Sequence, residues 1–172
     1  MEKVDVVDEN LRVLYPIDKQ EAHDKGVLHP TIVAEVINKK GEWLLVRQAG
    51  HKQDAGQFVS PVGGHVTSGE SEIEALKREA MEEVGLKVVS YKRVGQFIFN
   101  RKVNDKIENH YFILYEIYSD EEPKLNDESV EWKRFYRQEI KKILKENPKF
   151  FGDAFHVVVR NFYSSLFGID PV

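Results

Sequence analysis

Acidic side chains are concentrated in one short segment of the sequence, residues 70–83. This segment holds six acidic and two basic residues, so its net charge of −4 equals that of the whole chain. On a helical wheel with about 100° per residue, four carboxylates fall in one band: Glu72, Glu79, Glu82 and Glu83. Like charges on one helix face repel one another, whereas clustered carboxylate oxygens are ligands for hard cations such as Mg²⁺. The segment therefore predicts a divalent-cation site, with a solvated acidic helix face as the alternative.

A helix must present these carboxylates, and the sequence marks both of its ends. Ser71, with Glu74 three residues later, forms a capping-box pattern, and Gly85 stands where a helix ends. The apolar residues between them recur on one side of the wheel: Ile73, Leu76, Ala80 and Val84. We therefore expect a helix over residues 71–84 that packs its apolar stripe against the core and keeps the carboxylate band beside it.

The rest of the chain predicts mainly strands. Residues 4–8 and 11–15 predict an N-terminal hairpin, and residues 18–26 are compatible with a short helix. Further strands are predicted at residues 31–37, 43–47, 88–99, 107–118 and 131–135, with a polar turn at 100–106. Residues 58–66 form a short apolar segment that Gly63 and Gly64 interrupt, and two closing helices are predicted at 138–146 and 153–167. This order, without a linker, favours one α/β or α+β sandwich domain.

Composition and charge exclude several classes of protein. The net charge of −4 is not that of a protein that binds nucleic acid or a membrane surface. The chain has no cysteine, which excludes disulfides, thiolate zinc sites and a cysteine nucleophile. The first residues lack the apolar region of a signal peptide, and no segment reaches the roughly 20 apolar residues of a membrane span. We therefore expect a cytoplasmic protein whose partner is a small molecule.

The segment from Gly64 to Leu86 resembles the signature of the Nudix hydrolases. It has the pattern Gly-x5-Glu-x7-Arg-Glu-Ala-Met-Glu-Glu-Val-Gly-Leu, and every fixed position is matched: Gly64, Glu70, Arg78, Glu79, Glu82, Glu83 and Gly85. Ala80 is a mild departure, because a larger aliphatic residue is usual there. The resemblance implies an α/β fold, the Nudix α/β/α sandwich with a mixed sheet, over residues 31–168. Residues 1–30 would be an N-terminal extension made of the hairpin and the short helix.

The resemblance also implies roles for individual residues. The metal ligands would be three side chains and the backbone carbonyl of a glycine: Glu79, Glu82, Glu83 and Gly63. Arg78 would orient the carboxylates, and Glu70 would brace the preceding loop. The implied cofactor is Mg²⁺, with Mn²⁺ as a substitute. The implied reaction is hydrolysis of the diphosphate bond in a nucleoside diphosphate linked to another moiety.

Residues outside the signature would complete this site. Gly63 and Gly64 allow the backbone to approach a metal-bound diphosphate closely. Such sites also recruit a carboxylate from a distant loop, and the acidic loop before residue 131 offers Asp127 and Glu128, of which we favour Glu128 as a catalytic residue. Arg47 ends a predicted strand, where related hydrolases place a basic residue near a substrate phosphate.

Three histidines carry a second resemblance, to the type I isopentenyl-diphosphate isomerases. His23, His29 and His65 stand at places comparable to those where these isomerases bind a divalent metal, so a shared metal site and separate structural roles are both open. The other histidines have no partner pattern and are interpreted as structural or surface residues: His51, His110 and His156.

Three functions therefore remain open. Hydrolysis needs a cation, a water molecule and carboxylates, all compatible with this sequence. An isomerase would need a proton-transfer residue, and the related isomerases have a cysteine where this chain has Gly63. A non-catalytic diphosphate-binding Nudix module would lack some of the signature carboxylates, which are all present here. The N-terminal hairpin could also add to a partner's sheet and form a homodimer.

Overall fold

The computed structural model describes residues 1–103 and 105–171, which form two β-sheets and a set of helices. The strands are β1 (Lys3–Val7), β2 (Val13–Asp18), β3 (His29–Ile37), β4 (Trp43–Gln48), β5 (Phe58–Val59), β6 (Val62–His65), β7 (Ser90–Val103), β8 (Lys106–Tyr118) and β9 (Ser129–Phe135). The helices are α1 (Lys19–Lys25), α2 (Glu72–Val84), α3 (Arg137–Glu146), α4 (Asp153–Phe162) and α5 (Ser164–Phe167), with a 3₁₀ turn at Pro148–Phe150. No helix among these residues combines the length and apolar character that crossing a bilayer requires.

The predicted N-terminal hairpin is confirmed as a separate antiparallel pair, β1 with β2. It lies against the larger sheet, because the Val7 N–H donates to the Leu28 carbonyl over 2.9 Å and Val4 forms a bridge with Thr67. Helix α1 follows β2 and ends at Gly26, whose φ of 64° belongs to the left-handed region that glycine adopts readily. This turn carries the chain from α1 into β3.

Strand β3 organises the larger, mixed sheet. It pairs in parallel with β8 along its whole length, from His29 opposite His110 to Ile37 opposite Tyr118. On its other edge it pairs antiparallel with β6 over residues 31–34 and with β4 only at residues 36–37. Strand β4 then continues beside β5 and β9, and β7 lies at the far edge against β8. The Gly63-Gly64 pair is thereby fixed within β6, next to helix α2.

Alternating side chains of β3 divide the core into two layers. Ile32, Ala34 and Val36 pack on one face with the apolar stripe of α2, while Val33 packs on the other face with Phe155 and other residues of the C-terminal helices. Residues of the stripe such as Leu76, Ala80 and Val84 are almost fully buried. The sheet therefore lies between α2 and the helices α3–α5, and the predicted α/β/α sandwich is confirmed.

Two local expectations differ from the structure. The polar turn expected at 100–106 is mostly strand, because β7 extends to Val103 and β8 begins at Lys106. Cross-strand pairs of opposite charge stabilise this extension, as shown by Arg101 and Glu108, whose Nε and Oε2 lie 2.6 Å apart. Asn104, at the tip, lies outside the described residues. The single closing helix expected at 153–167 is divided into α4 and α5 at Tyr163, whose φ is −127°.

Candidate active site

Helix α2 has well-defined ends, as the sequence predicted. Ser71 Oγ accepts from the Glu74 N–H over 3.2 Å, and the Glu74 carboxylate accepts from the Ser71 N–H over 2.8 Å, which completes the capping box. Gly85 ends the helix in the left-handed conformation, with φ of 63°. Because both ends and the apolar stripe are fixed, the direction of the carboxylate band is fixed as well.

Arg78 connects the loop before α2 with the carboxylates of the helix. Its Nε and Nη2 donate to the two oxygens of Glu70 over 2.8 and 2.9 Å, and Nη2 also donates to the His65 carbonyl over 2.9 Å. Its Nη1 lies 2.5 Å from Oε1 of Glu79. The bidentate pair with Arg78 lowers the pKa of Glu70. Arg78 is thus placed where it can hold the Glu79 carboxylate in one orientation.

The two glycines of β6 face Glu79 and Glu83. A Cβ built on Gly64 would overlap the carboxyl group of Glu79, so this position has room only for glycine. The Gly63 N–H donates to Oε2 of Glu83 over 2.7 Å. The backbone of the two glycines therefore lies directly against the carboxyl groups of Glu79 and Glu83.

Replacing Gly64 by alanine should displace the Glu79 carboxyl group. We expect this change to reduce turnover at least about tenfold and to lower the free energy of unfolding by about 1–3 kcal/mol, the usual effect of overpacking. Gly63→Ala is the matched control for stability, because a Cβ there would lie 3.8 Å from its nearest neighbour, the Ile32 carbonyl oxygen. Urea unfolding checks this expectation, and equal stability of the two variants would contradict it.

Two carboxyl groups of α2, those of Glu79 and Glu83, are placed where their ionisation is disfavoured. Burial, with the negative charges of Glu79 and Glu128, raises the pKa of Glu83 to about 8, although the hydrogen bond from the Gly63 N–H acts in the opposite direction. Burial also raises the pKa of Glu79, which Arg78 partly offsets. Glu82 is the more exposed member, with 57% of its side chain accessible. A divalent cation between these oxygens would remove the repulsion, so the residues fit an oxygen-ligated metal such as Mg²⁺.

Glu79, Glu82 and Glu83 line a cleft beside α2, and the structure brings Glu128 to this cleft. Its backbone carbonyl accepts from the Ala49 N–H over 2.8 Å, and its Oε2 lies 2.9 Å from Lys52 Nζ. Both side chains line the cleft, whereas Asp127, the alternative, is not among the lining residues. Lys52 therefore holds the additional carboxylate that the sequence favoured, and sequence reasoning had not singled out this lysine.

Arg47 and Glu72 are placed elsewhere. Arg47 Nε pairs with Glu131 Oε2 over 2.8 Å across β4 and β9, and Arg47 is not among the residues that line the cleft. Glu72 accepts from Arg93 and from the Tyr115 hydroxyl, at 2.9 and 2.6 Å. The wheel placed Glu72 beside Glu79 because it ignores the rise along the axis, which is about 10 Å over seven residues.

Four histidines meet beside this cleft. His23 Nε2 lies 3.2 Å from His65 Nε2 and 3.4 Å from His110 Nε2. His29 uses its Nδ1 on the Val27 carbonyl at 2.8 Å, and its buried Nε2 has no hydrogen-bond partner among the described residues. One ligand atom from each of the four histidines lies within 4.8 Å of all the others. The interpretation of His110 as a histidine without partners is therefore wrong.

The error over His110 has a physical reason. His110 is distant in sequence from the other three and joins them because β3 and β8 pair in parallel, with His29 opposite His110. No local pattern encodes this register. The remaining two histidines lie apart from the cluster: His51 is exposed and lines the cleft, and His156 is half-buried, with its Nε2 2.7 Å from the Pro148 carbonyl oxygen.

The histidine cluster is held in its neutral form. Burial, together with the charges of the nearby histidines, lowers the pKa of His65 to about 2 and that of His110 to about 3. Burial also lowers the pKa of His23 and His29. Neutral imidazole nitrogens are metal ligands. The buried Nε2 of His29, which has no hydrogen-bond partner among the described residues, is suited to bind a cation. The four side chains thus fit a borderline cation such as Zn²⁺.

One cleft of about 780 Å³ joins the two clusters. It is lined by the glutamates of α2, by His65 and His110, and by several basic side chains: Lys19, Lys52, Arg101 and Lys106. A volume of this size is typical of small-molecule sites. The arrangement can hold a divalent cation on one wall and an anionic ligand between that wall and the basic residues.

Glu35 is a buried carboxyl group of β3 that lies outside the glutamate cluster. It is fully buried, the Ser60 hydroxyl donates to it, and its Oε2 has no partner among the described residues. Burial raises its pKa to about 8, and the charge of Glu116 adds to this shift. Because an unfolded glutamate has a pKa near its ordinary value of 4.5, the folded protein loses stability as pH rises from about 4.5 through 8.

Replacing Glu35 by glutamine should therefore stabilise the protein mainly at alkaline pH. Each unit of pKa shift corresponds to about 1.4 kcal/mol, so we expect a gain of a few kcal/mol at pH 9 and little change at pH 4.5. Urea unfolding of both proteins at the two pH values measures the difference. A difference between wild type and variant that does not change with pH would contradict the buried, neutral carboxyl group.

Comparison with known proteins agrees with the fold. The family model of the NUDIX domain matches residues 27–153. The chain is similar to an isopentenyl-diphosphate Delta-isomerase of Pectobacterium atrosepticum, with 30% identity over 129 residues that cover 74% of this chain and 72% of the relative. It is also similar to an uncharacterized Nudix hydrolase of Yersinia pestis, with 32% identity over 103 residues that cover 59% of this chain and 57% of the relative.

Solved structures share the same arrangement of strands and helices. DR0079 from Deinococcus radiodurans superimposes with a TM-score of 0.73 at 22% identity, covering 92% of this chain and 98% of that one. The MutT protein of Methanosarcina mazei superimposes with a TM-score of 0.60 at 27% identity, covering 75% and 87%. The chain therefore belongs to the NUDIX domain family and is a hydrolase of that family.

Proposed function

We propose that this protein hydrolyses the diphosphate bond of a nucleoside diphosphate linked to another moiety, with Mg²⁺ or Mn²⁺ as cofactor. The observation that carries the proposal is the set of Glu79, Glu82 and Glu83 beside the two glycines of β6, in a cleft that also holds basic side chains. Carboxylate oxygens suit Mg²⁺, which is commonly shared with substrate phosphates.

The residues of the chain have separable roles in this proposal. Glu79, Glu82 and Glu83, with the Gly63 backbone, would hold the cation, which supplies polarisation of the phosphoryl oxygen and a more acidic water. Arg78 positions Glu79 through its 2.5 Å contact. Gly64 leaves the space that the Glu79 carboxyl group occupies.

Glu128 is the proposed residue that accepts the proton of the attacking water. It lines the same cleft as Glu79, and Lys52 holds it at 2.9 Å, so its carboxylate has a defined position. A general base must lie within hydrogen-bond reach of the proton that it removes, directly or through one water. The charge of Glu128 raises the pKa of both Glu79 and Glu83, which agrees with this proximity.

Two observations favour the isomerase hypothesis. The chain is similar to a protein named isopentenyl-diphosphate Delta-isomerase, and the three histidines that resemble those of the isomerases, His23, His29 and His65, lie together. Allylic isomerisation moves a proton on carbon and needs a positioned acid and base. The chain has no cysteine, and Gly63 carries no titratable side chain. Hydrolysis therefore remains the better-supported reaction. A non-catalytic module is disfavoured because all signature carboxylates are present.

The experiment that tests the proposal is a survey of nucleoside diphosphate derivatives with Mg²⁺, read by ³¹P NMR. We expect at least one derivative to be cleaved by water at a diphosphate bond into two products that each keep a phosphate, and cleavage to stop when the cation is chelated. Absence of cleavage across nucleoside diphosphate sugars, dinucleoside polyphosphates and nucleoside triphosphates would overturn the proposal.

The histidine cluster supports a second cation site, separate from the glutamates. Its four ligands come from α1, β3, β6 and β8, so a bound cation would connect the N-terminal extension with the main sheet. All four are imidazoles, which favour Zn²⁺, Ni²⁺ or Cu²⁺ over Mg²⁺. The nearby carboxylate of Glu108 is engaged by Arg101 at 2.6 Å.

A further inference from the structure

Arg101 is a second arginine that lines the cleft, in addition to Arg78. It lies on β7, where its Nε donates to Glu108 Oε2 over 2.6 Å and its Nη2 donates to Gln53 Oε1 over 3.1 Å. Its guanidinium carbon lies 5.3 Å from the centre of the Phe99 ring. Only 20% of the side chain is exposed. These contacts hold the guanidinium group in one place.

The third nitrogen of this group, Nη1, is left without an acceptor. It is buried and has no hydrogen-bond partner within residues 1–103 and 105–171. A guanidinium group stays charged in proteins and offers five N–H donors. Donors that are buried and unsatisfied are unfavourable. Because Arg101 also lines the cleft, an anionic ligand in the cleft could supply the missing acceptor.

Other basic residues of the cleft are already engaged by carboxylates. Lys52 pairs with Glu128, Lys19 with Glu2, and Arg78 with both Glu70 and Glu79. Lys106 also lines the cleft, is exposed and adds positive charge there. Arg101 is itself paired with a carboxylate, that of Glu108. It differs from the other basic residues of the cleft because one of its nitrogens, Nη1, is buried without an acceptor among the described residues.

We infer that Arg101 binds a phosphoryl group of the substrate, the one that the metal at the glutamates does not hold. The planar fork of arginine matches the geometry of phosphate oxygens. Glu108 and Gln53 act as positioning residues, since they fix two nitrogens and leave Nη1 to the ligand. This assignment rests on the proposed function, and it gives to Arg101 the phosphate contact that the sequence predicted for Arg47.

Binding of inorganic pyrophosphate in the presence of Mg²⁺, measured by calorimetry, tests the inference. We expect Arg101→Gln to weaken the affinity at least about tenfold, because hydrogen bonds to charged groups are worth about this factor or more. Arg47→Gln is the matched control and should keep the wild-type affinity. It also removes an arginine, but Arg47 pairs with Glu131 and does not line the cleft. Equal affinities of the two variants, or no binding of pyrophosphate to the wild type, would overturn the inference.

Steady-state kinetics add a readout that a structural role would not produce. For a cleaved nucleoside diphosphate derivative, Arg101→Gln should raise KM at least about tenfold and change kcat less. If Arg101→Gln fails to fold, Arg101→Lys replaces it in the same measurement. Lysine keeps the positive charge but lacks the planar guanidinium group, so we expect it to bind pyrophosphate more weakly. Wild-type affinity of Arg101→Lys would overturn the inference. A different outcome would overturn the proposed function alone: the Arg101 variants bind pyrophosphate more weakly, but the wild type cleaves no nucleotide.

Discussion

Replacing Glu83 by glutamine should lower kcat at saturating Mg²⁺ by more than about 100-fold, beyond the range typical of changes around a metal site. Glutamine keeps the shape of the side chain and can still accept the bond from the Gly63 N–H, now 2.7 Å from Glu83 Oε2. It removes the negative charge that a divalent cation needs. Because the metal-free protein also loses repulsion with Glu79 and Glu128, its melting temperature should be unchanged or higher.

Glu72→Gln is the matched control for this prediction. Glu72 lies on the same helix but is bound by Arg93 and Tyr115 rather than placed in the cleft. We expect this variant to retain turnover within a few-fold of the wild type. Near wild-type turnover of Glu83→Gln, or an equal loss in both variants, would contradict the assignment of the metal ligands.

Replacing His110 by alanine should abolish binding of a borderline cation at the histidine cluster. After removal of metals and equilibrium dialysis against Zn²⁺, the wild type should hold about one equivalent at this site. A cation present at 100 times its dissociation constant raises the free energy of unfolding by about 2.7 kcal/mol. That shift should be lost in His110→Ala, because the cluster would lose one of its four ligands.

His156→Ala is the control for the histidine site, since His156 is half-buried outside the cluster and contacts the Pro148 carbonyl instead. Glu83→Gln should also keep the Zn²⁺ at the histidines, because the two sites have different ligands. Retention of the Zn²⁺ equivalent and of the thermal shift in His110→Ala would contradict a four-histidine site. So would a wild type that takes up no cation there.

The residues that sequence analysis identified best belong to one continuous segment. Ser71, Glu74 and Gly85 define α2 through hydrogen bonds that span three to five residues, so their pattern is visible without tertiary structure. Because one helix carries Arg78 and the glutamates, their common direction follows from helical periodicity alone. Periodicity failed only where distance along the axis mattered, at Glu72.

The residues that sequence analysis missed or misplaced depend on pairing between distant strands. His110 reaches the other histidines through the register of β3 and β8. Arg101 reaches the cleft because β7 and β8 continue through the predicted turn and pair Arg101 with Glu108. Arg47 ends a strand as expected, yet its partner on β9, Glu131, engages it. The alternation of side chains alone leaves such registers open.

The most direct test of the proposed hydrolysis is a paired assay of the wild-type protein with Mg²⁺. One reaction contains isopentenyl diphosphate in D₂O, and the other contains nucleoside diphosphate derivatives followed by ³¹P NMR. Since Gly63 supplies no acid and the chain has no cysteine, we expect no deuterium incorporation above the protein-free control, and cleavage of at least one nucleotide derivative. Deuterium incorporation above that control, with every nucleotide derivative left intact, would contradict the account.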